Sequence, residues 1–182
     1  MILTIYLLVL IVVMVTTFWQ GSLLYAALTG TPIVYAWERA IRDSLQLAAL
    51  KKGETVVDLG CGNAKVLILA ARKFGAKGVG VDRSIWCYLK SITNVWLAGQ
   101  SKNIQIIRGD FKKADKFLGN ADVVYVYLLN DVMANIKEWL FSSISKDARV
   151  VSLSFVFPGK EPVREANTYN IFQNTKVRLY KK

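Results

Sequence analysis

Hydrophobic positions fall into two regimes along this chain. From Ile2 to Trp19 apolar side chains run almost without a break: twelve of these eighteen positions are Leu, Ile, Val or Phe. Eighteen such residues reach the length of a membrane-crossing helix, and no strand of a globular domain is that long. At roughly −0.4 kcal/mol each, the twelve favour insertion by about 5 kcal/mol. Trp19 and Tyr25 stand where amphipathic aromatics sit at headgroup level. A cleaved signal peptide would carry Lys or Arg ahead of a shorter apolar core. Nothing basic precedes Ile2, so a permanent anchor over 1–29, with residues 2–24 in the bilayer, is expected.

Beyond Gly30-Thr31-Pro32, which breaks the helical run, the periodicity changes. Over 30–50 a linker leads into an amphipathic helix with Trp37, Ala40, Ile41, Leu45 and Ala48 on one face, closed by Lys52-Gly53. That face is expected to pack on the domain core. From 51 to 182 short apolar runs alternate with helical patterns. Strands are predicted at 54–59, 78–81, 103–108, 121–128 and 149–157. Helices are predicted at 64–74, at 85–98 with Ser84 as N-cap, and at 132–141. Ile85, Leu89, Ile92 and Trp96 share one face of the second of these, and Trp86 and Trp96 read as core. The tail from Thr168 to Tyr180 reads as a hairpin around Gln173-Asn174-Thr175. Strand alternating with helix implies an α/β, Rossmann-like sheet, mostly parallel with a C-terminal antiparallel hairpin.

Charge sharpens the division. Residues 1–37 hold no Asp, Glu, Lys or Arg, so the net charge of +11 belongs to the rest of the chain. Arg39, Arg42, Lys51 and Lys52 follow the apolar helix, which by the positive-inside rule places the C-terminal domain in the cytoplasm of a single-pass membrane protein. The basic residues are scattered or in short pairs, which suits anionic lipid or plain solubility better than a nucleic-acid partner. The chain has no histidine, which excludes His-based acid–base catalysis and argues against a zinc site, so no metal is expected. Cys61 and Cys87 suggest no disulfide framework.

The chemistry concentrates at strand ends. Val56-Val57-Asp58-Leu59-Gly60-Cys61-Gly62-Asn63-Ala64 is a buried strand running into a glycine-rich turn that opens a helix, where backbone can approach a ligand and free amides face it. Asp82 ends the second strand, where an acidic side chain of nucleotide-binding sheets bonds ribose hydroxyls. Arg108-Gly109-Asp110-Phe111 follows the third. An acid beside an aromatic suits adenine, with Asp110 accepting from the exocyclic amine. Taken singly each acid reads as a solvated loop residue or helix cap; in order on consecutive strand ends they make a site.

This ordered set resembles the class I S-adenosylmethionine-dependent methyltransferases, with D-x-G-x-G after strand one and acids after strands two and three, over about residues 50–157. With the anchor, Gly30-Thr31-Pro32-Ile33-Val34 and Tyr125-Val126-Tyr127-Leu128-Leu129, it also resembles the membrane-anchored protein-lysine methyltransferases that act on ATP synthase c subunits, and their prokaryotic relatives. The resemblance implies S-adenosyl-L-methionine as cofactor, held by Asp58, Gly60, Gly62, Asp82 and Asp110 together with the adjoining Cys61, Arg83 and Phe111. It also places Thr31 and Pro32 near the site. Ala64 replaces the common third glycine, which is tolerable if that residue is already helical. Little sequence separates Phe157 from the last hairpin, leaving scant room for the family's helix there. A Rossmann dehydrogenase, the alternative, would show G-x-G-x-x-G and a substrate domain, and neither is visible.

Methyl transfer asks mainly for proximity and alignment. In this fold the end of strand four faces the methyl donor, so Tyr127 is the candidate to align an amine and Asn130 or Asp131 to accept a hydrogen bond. Otherwise Tyr125 and Tyr127 pack as strand aromatics and Asn130 caps a helix. Cys61 carries no catalytic role, although its alkylation would obstruct the turn. With about 145 residues after the anchor there is little material for a lid, which favours a large acceptor. A lysine of a membrane protein ranks first, an amine-bearing lipid headgroup second and RNA third. A non-catalytic membrane scaffold is the remaining reading.

Overall fold

The computed structural model describes residues 2–28, 35–170 and 173–182. The chain divides into two units, Met1–Ile33 and Val34–Lys182. Among the described residues the first contains one helix, α1 (Ile2–Leu28). Its stretch Ile2–Gly21 is long and apolar enough to cross a membrane, with mean hydropathy 2.5. Apolar side chains cover it on every side and are exposed from Ile2 to Trp19. The hydroxyls of Thr16 and Thr17 donate to Val12 and Val13 carbonyls at 2.8–2.9 Å, so these two polar groups are satisfied within the helix. Thr31 and Pro32 lie outside the described residues.

The second unit runs α2 (Glu38–Leu47), β1 (Thr55–Leu59), α3 (Lys65–Phe74), β2 (Lys77–Asp82), α4 (Ile85–Leu97), β3 (Ile104–Arg108), a 3₁₀ turn (Phe111–Ala114), α5 (Asp115–Leu118), β4 (Val123–Val126), α6 (Asn130–Ser143), β5 (Arg149–Leu153), β6 (Arg164–Asn170) and β7 (Gln173–Lys181). The seven strands lie in the order β3-β2-β1-β4-β5-β7-β6. Neighbours from β3 to β5 are parallel, and β7 is antiparallel to both β5 and β6. Strand order reverses between β1 and β4, which opens a crevice at their carboxyl ends. Because side chains alternate across the sheet, Val56, Tyr125 and Val151 meet α2 and α3 on one face, while Val57, Val124 and Val150 meet α6 on the other.

Several expected boundaries move, each for a local reason. The helix α2 stops at Leu47 rather than near Gly53, because Ala49 turns left-handed (φ 50°) and the Leu50 amide bonds back to the Leu45 carbonyl. Ser154 takes φ 67° and ends β5 at Leu153, short of Phe157. Gln173, Asn174 and Thr175 belong to β7 rather than to a turn, since Asn170 already pairs with Gln173. Residues 154–163 contain no helix, as the short tail implied. Ala64 is not helical: it carries φ 61°, ψ 17°. The largest departure is α4. Its inner face is Cys87, Ser91 and Val95, while Trp96, expected in the core, is 70% exposed. Trp86 is half-buried.

One side chain ties the entry of the sheet together. Arg149 donates to Glu54 at 2.7 Å, to the Ala48 and Ala49 carbonyls at 2.7 and 2.9 Å, and to the Asp122 carbonyl at 3.3 Å. It joins the end of α2, the start of β1 and the approach to β4. Arg149→Met removes the charge and leaves these partly buried acceptors without their donor. Urea denaturation of that variant should show a loss of about 2–3 kcal/mol; a loss below about 0.5 kcal/mol would reduce the cluster to a surface ion pair.

Candidate active site

The turn between β1 and α3 is built from alternating left-handed residues: Gly60 (φ 81°), Gly62 (φ 56°) and Ala64 (φ 61°). Glycine carries that conformation freely, whereas alanine bears a steric cost of roughly 1–2 kcal/mol. Ala64 is wholly buried in the core, where its methyl offsets part of the cost. The turn hangs from β2: Gly60 and Cys61 amides donate to the Val81 carbonyl at 2.9 and 3.1 Å. Beneath it the missing side chain of Gly80 makes room, since a Cβ there would lie 2.7 Å from Cys61 Sγ and 2.8 Å from Leu67 Cδ1.

Asp82 fixes the turn from the second strand. Its Oδ2 accepts from the Gly62 amide and its Oδ1 from the Ser84 amide, both at 2.9 Å. Ser84 in turn caps α4, its hydroxyl accepting from the Cys87 amide at 3.3 Å, as the sequence predicts. Burial raises the Asp82 carboxyl above the ordinary range while the two amides oppose that rise. Each carboxylate oxygen retains a lone pair for a ligand hydroxyl.

Asp58 lies deeper, 2% exposed at the end of β1 and in register with Gly80 and Tyr125. Burial, and then the nearby charge of Asp82, pushes its pKa up from 3.8 to about 8, so it is largely protonated at neutral pH. The Tyr125 hydroxyl beside it is buried without a well-formed hydrogen bond. The Ser44 hydroxyl offers it only partial relief, being directed to the Ala40 carbonyl at 2.6 Å. A cavity of about 370 Å³, counted with its open mouth, opens at the switch point over Asp58, Gly60, Gly62, Tyr125, Tyr127 and Tyr35. A site with a protonated buried carboxyl, a second carboxylate nearby and a phenol lacking a well-formed hydrogen bond suits a ligand that brings positive charge and hydrogen-bond donors.

Of the residues expected from sequence, Asp58, Gly60, Cys61, Gly62 and Tyr127 share this cavity, and Asp82 joins through the Gly62 amide. The Cys61 thiol is buried and packed against Gly80, with its pKa raised by burial and then by Asp58, so it is a poor target for alkylation. Arg83 is exposed on the loop before α4, and exposed Asp110 caps the 3₁₀ turn by accepting from the Lys112 amide at 3.3 Å. Phe111 is buried, its ring 3.9 Å from where a Cβ on Gly60 would stand. These three adjoin the β2–β3 side of the turn, outside the cavity. Asn130 is exposed at the first turn of α6 rather than capping it, the N-cap being Leu129.

Two contributions carry no local sequence signal. Tyr35, just past the linker, stands against Gly62 with its ring 5.0 Å from Lys90 Nζ. Asn170, from the far hairpin, donates to the Tyr127 hydroxyl at 3.1 Å and accepts from the Trp37 amide at 2.8 Å. It links the N-terminal segment, β4 and the hairpin through one buried amide. Burial raises the Tyr127 pKa, opposed by Asn170 and Ser154, so this phenol is neutral at physiological pH.

The raised Asp58 pKa has a thermodynamic consequence. The unfolded chain ionises this group near 3.8 and the folded chain near 8, so the folded state binds the extra proton between those values. Its contribution to stability is full below about pH 4 and is lost as pH rises through about 8. Thermal melts of the ligand-free protein from pH 5 to 8 should show this decline, and Asp58→Asn should flatten it; parallel pH profiles for the two proteins would refute the assignment.

The model of the ANTKMT methyltransferase domain matches residues 58–164. A protein-lysine N-methyltransferase of Saccharolobus islandicus is 30% identical over 150 residues, which is 82% of this chain and 92% of that protein. The crystal structure of an RNA methyltransferase from Salinibacter ruber, in complex with S-adenosyl-L-homocysteine, superposes with a TM-score of 0.74 at 28% identity, covering 81% of this chain and 93% of that one. A methyltransferase from Thiobacillus denitrificans, also with S-adenosyl-L-homocysteine, shares the fold at TM-score 0.54 and 18% identity over 71% of this chain and 49% of that one.

Proposed function

This chain belongs to the ANTKMT methyltransferase domain family and is an S-adenosylmethionine-dependent class I methyltransferase; from that premise we propose that its acceptor is a lysine side chain of a membrane-associated protein.

The residues present fit the cofactor. Gly60 and Gly62 form a cradle that side chains would narrow, the nearest atoms to a Cβ at those positions being Leu128 at 3.0 Å and Tyr35 at 3.7 Å. Asp82 has lone pairs that would serve ribose hydroxyls, Asp110 with Phe111 would hold the adenine, and Asp58 and Tyr125 would meet the positively charged end. S-adenosylmethionine supplies a methyl group already activated on a sulfonium, so the chain's own residues need only bind, orient and exclude.

The observation that carries the acceptor assignment is Tyr127 on the wall of the cavity. Its hydroxyl takes one hydrogen bond from Asn170 and keeps a lone pair for an incoming amine. A lysine side chain presented by a macromolecule can reach it through the cavity's mouth. It sheds its proton to water, because Tyr127 is a neutral phenol and Asp58 is buried. Tyr127 then holds the free amine in line by accepting one of its N–H groups. The lysine-directed activity of the Saccharolobus relative supports this choice. The apolar length of α1 supports an anchor over residues 2–24, and Arg39, Arg42, Lys51 and Lys52 after it support a cytoplasmic catalytic domain with an acceptor at the bilayer. The Salinibacter relative and the domain's positive charge favour RNA as the second reading.

Membranes containing the full chain, supplied with methyl-labelled S-adenosylmethionine, separate these readings when protein, lipid and RNA are counted apart. Label should enter a protein band as methyl-lysine and vanish with Gly62→Val, which forces a branched side chain onto φ 56°. Label confined to lipid or RNA would overturn the lysine assignment. Tyr127→Phe should lower kcat about tenfold, the worth of one hydrogen bond, with cofactor affinity within about twofold; an unchanged kcat would remove Tyr127 from the mechanism.

A further inference from the structure

The helix α4 is inside out. Residues 89, 92, 93, 96 and 97 follow the spacing of one helical face, and on that face Leu89 is 49%, Ile92 40%, Trp96 70% and Leu97 67% exposed. The face turned to the sheet carries Cys87, Ser91 and Val95. The larger apolar side chains therefore point away from the core, where they would be expected to pack. Scattered exposed apolar residues need no explanation, but a contiguous ridge on a folded domain marks a surface that something covers.

Charge around the ridge says what kind of surface that is. Between residues 59 and 109 the chain has eight Lys or Arg and a single acid, Asp82, whose two oxygens already accept backbone amides. Lys90 lies on α4 itself, Arg72 donates to the Ala98 carbonyl at the end of α4 at 2.9 Å, and Lys102 follows in the next turn. Trp and Leu on one helical face with Lys and Arg beside it is the pattern of a helix lying in an anionic bilayer interface. Single-stranded RNA would instead need successive aromatic platforms, and this face offers one ring among Leu, Ile and Thr.

The ridge-bearing helix also adjoins the cavity: Tyr35, which lines it, contacts α4 through Lys90, whose ammonium is 3.5 Å from its hydroxyl.

We propose that the Leu89–Trp96 face of α4 is a membrane-docking surface for anionic phospholipid, which lays the domain on the bilayer in one orientation. This rests on the membrane location proposed above and adds a second contact to it. Docking restricts the rotation a lone tether would allow and keeps the mouth beside Tyr35 within reach of acceptors at the surface.

The test uses the full chain in vesicles of phosphatidylcholine, alone or mixed with phosphatidylglycerol. An environment-sensitive fluorophore is placed at Thr93→Cys on the ridge or at Ala134→Cys on exposed α6, across the sheet. Cys61 and Cys87 are 5% and 1% exposed, so the wild-type protein reports background labelling. With phosphatidylglycerol present, the Thr93→Cys label should shift to the blue and resist an aqueous quencher, the Ala134→Cys label should do neither, and high salt should weaken the effect. Trp96→Glu with Leu97→Glu should return the ridge label to water without changing S-adenosylhomocysteine affinity. Equal quenching at the two sites in anionic vesicles overturns the proposal, as does protection of the Thr93→Cys label by added RNA but not by lipid. Alkaline extraction of the same vesicles reports the anchor separately. A chain that washes out after showing a protected ridge label loses the anchor and keeps the docking face; one that stays with an unprotected label does the reverse.

Discussion

Two hydrogen bonds to Asp82 hold the rest of the site in place. One oxygen takes the Gly62 amide and the other the Ser84 amide, so a single carboxylate braces the turn after β1 and the start of α4 from the end of β2. With Gly62 fixed, Gly60 and Ala64 complete a left-handed alternation that sends α3 back over the sheet. With Ser84 fixed, α4 begins where its hydroxyl can cap it. The same carboxylate places a negative charge near Asp58, which together with burial keeps that second acid protonated in the empty site. Removing Asp82 would slacken the turn and alter the charge balance at once.

That arrangement accounts for a methyltransferase with so little protein. Its cofactor carries the reactive group, so the domain need supply only a cradle and a charge environment, and in the function proposed here a phenol that aligns the acceptor. The proton balance of Asp58 suits a cationic ligand in particular. A carboxyl poised near neutrality can ionise when positive charge arrives, so binding and ionisation reinforce each other. On the other side of the cavity Asn170 fastens the Tyr127 hydroxyl to the Trp37 backbone, so the hairpin, β4 and the segment before α2 meet at one buried amide.

Much of this was legible in the sequence because it rests on local signals. Apolar runs bounded by Gly gave the five parallel strands their positions, Ser84 gave the start of α4, and the spacing of Asp58, Asp82 and Asp110 marked the strand ends. Expectation and structure part where tertiary structure decides. A helical apolar stripe predicts an inward face, but α4 packs small residues on the sheet and leaves Trp96 outside, which periodicity alone does not distinguish. Ala64 and Ser154 hold left-handed backbone that neither residue type announces. Tyr35 and Asn170 reach the site from opposite ends of the domain, a pairing visible only once the hairpin is folded back on the sheet.

The most direct test of the account is titration calorimetry of S-adenosylhomocysteine with the wild-type chain and Asp82→Asn, at matched pH and with melting followed alongside. The wild type should bind and Asp82→Asn should bind at least about tenfold more weakly, since the amide can accept at one position only and a charge-assisted bond is worth about 1.5–3 kcal/mol. Equal affinity in the two proteins, with both fully folded, would contradict it and move the cofactor away from the turn that Asp82 braces.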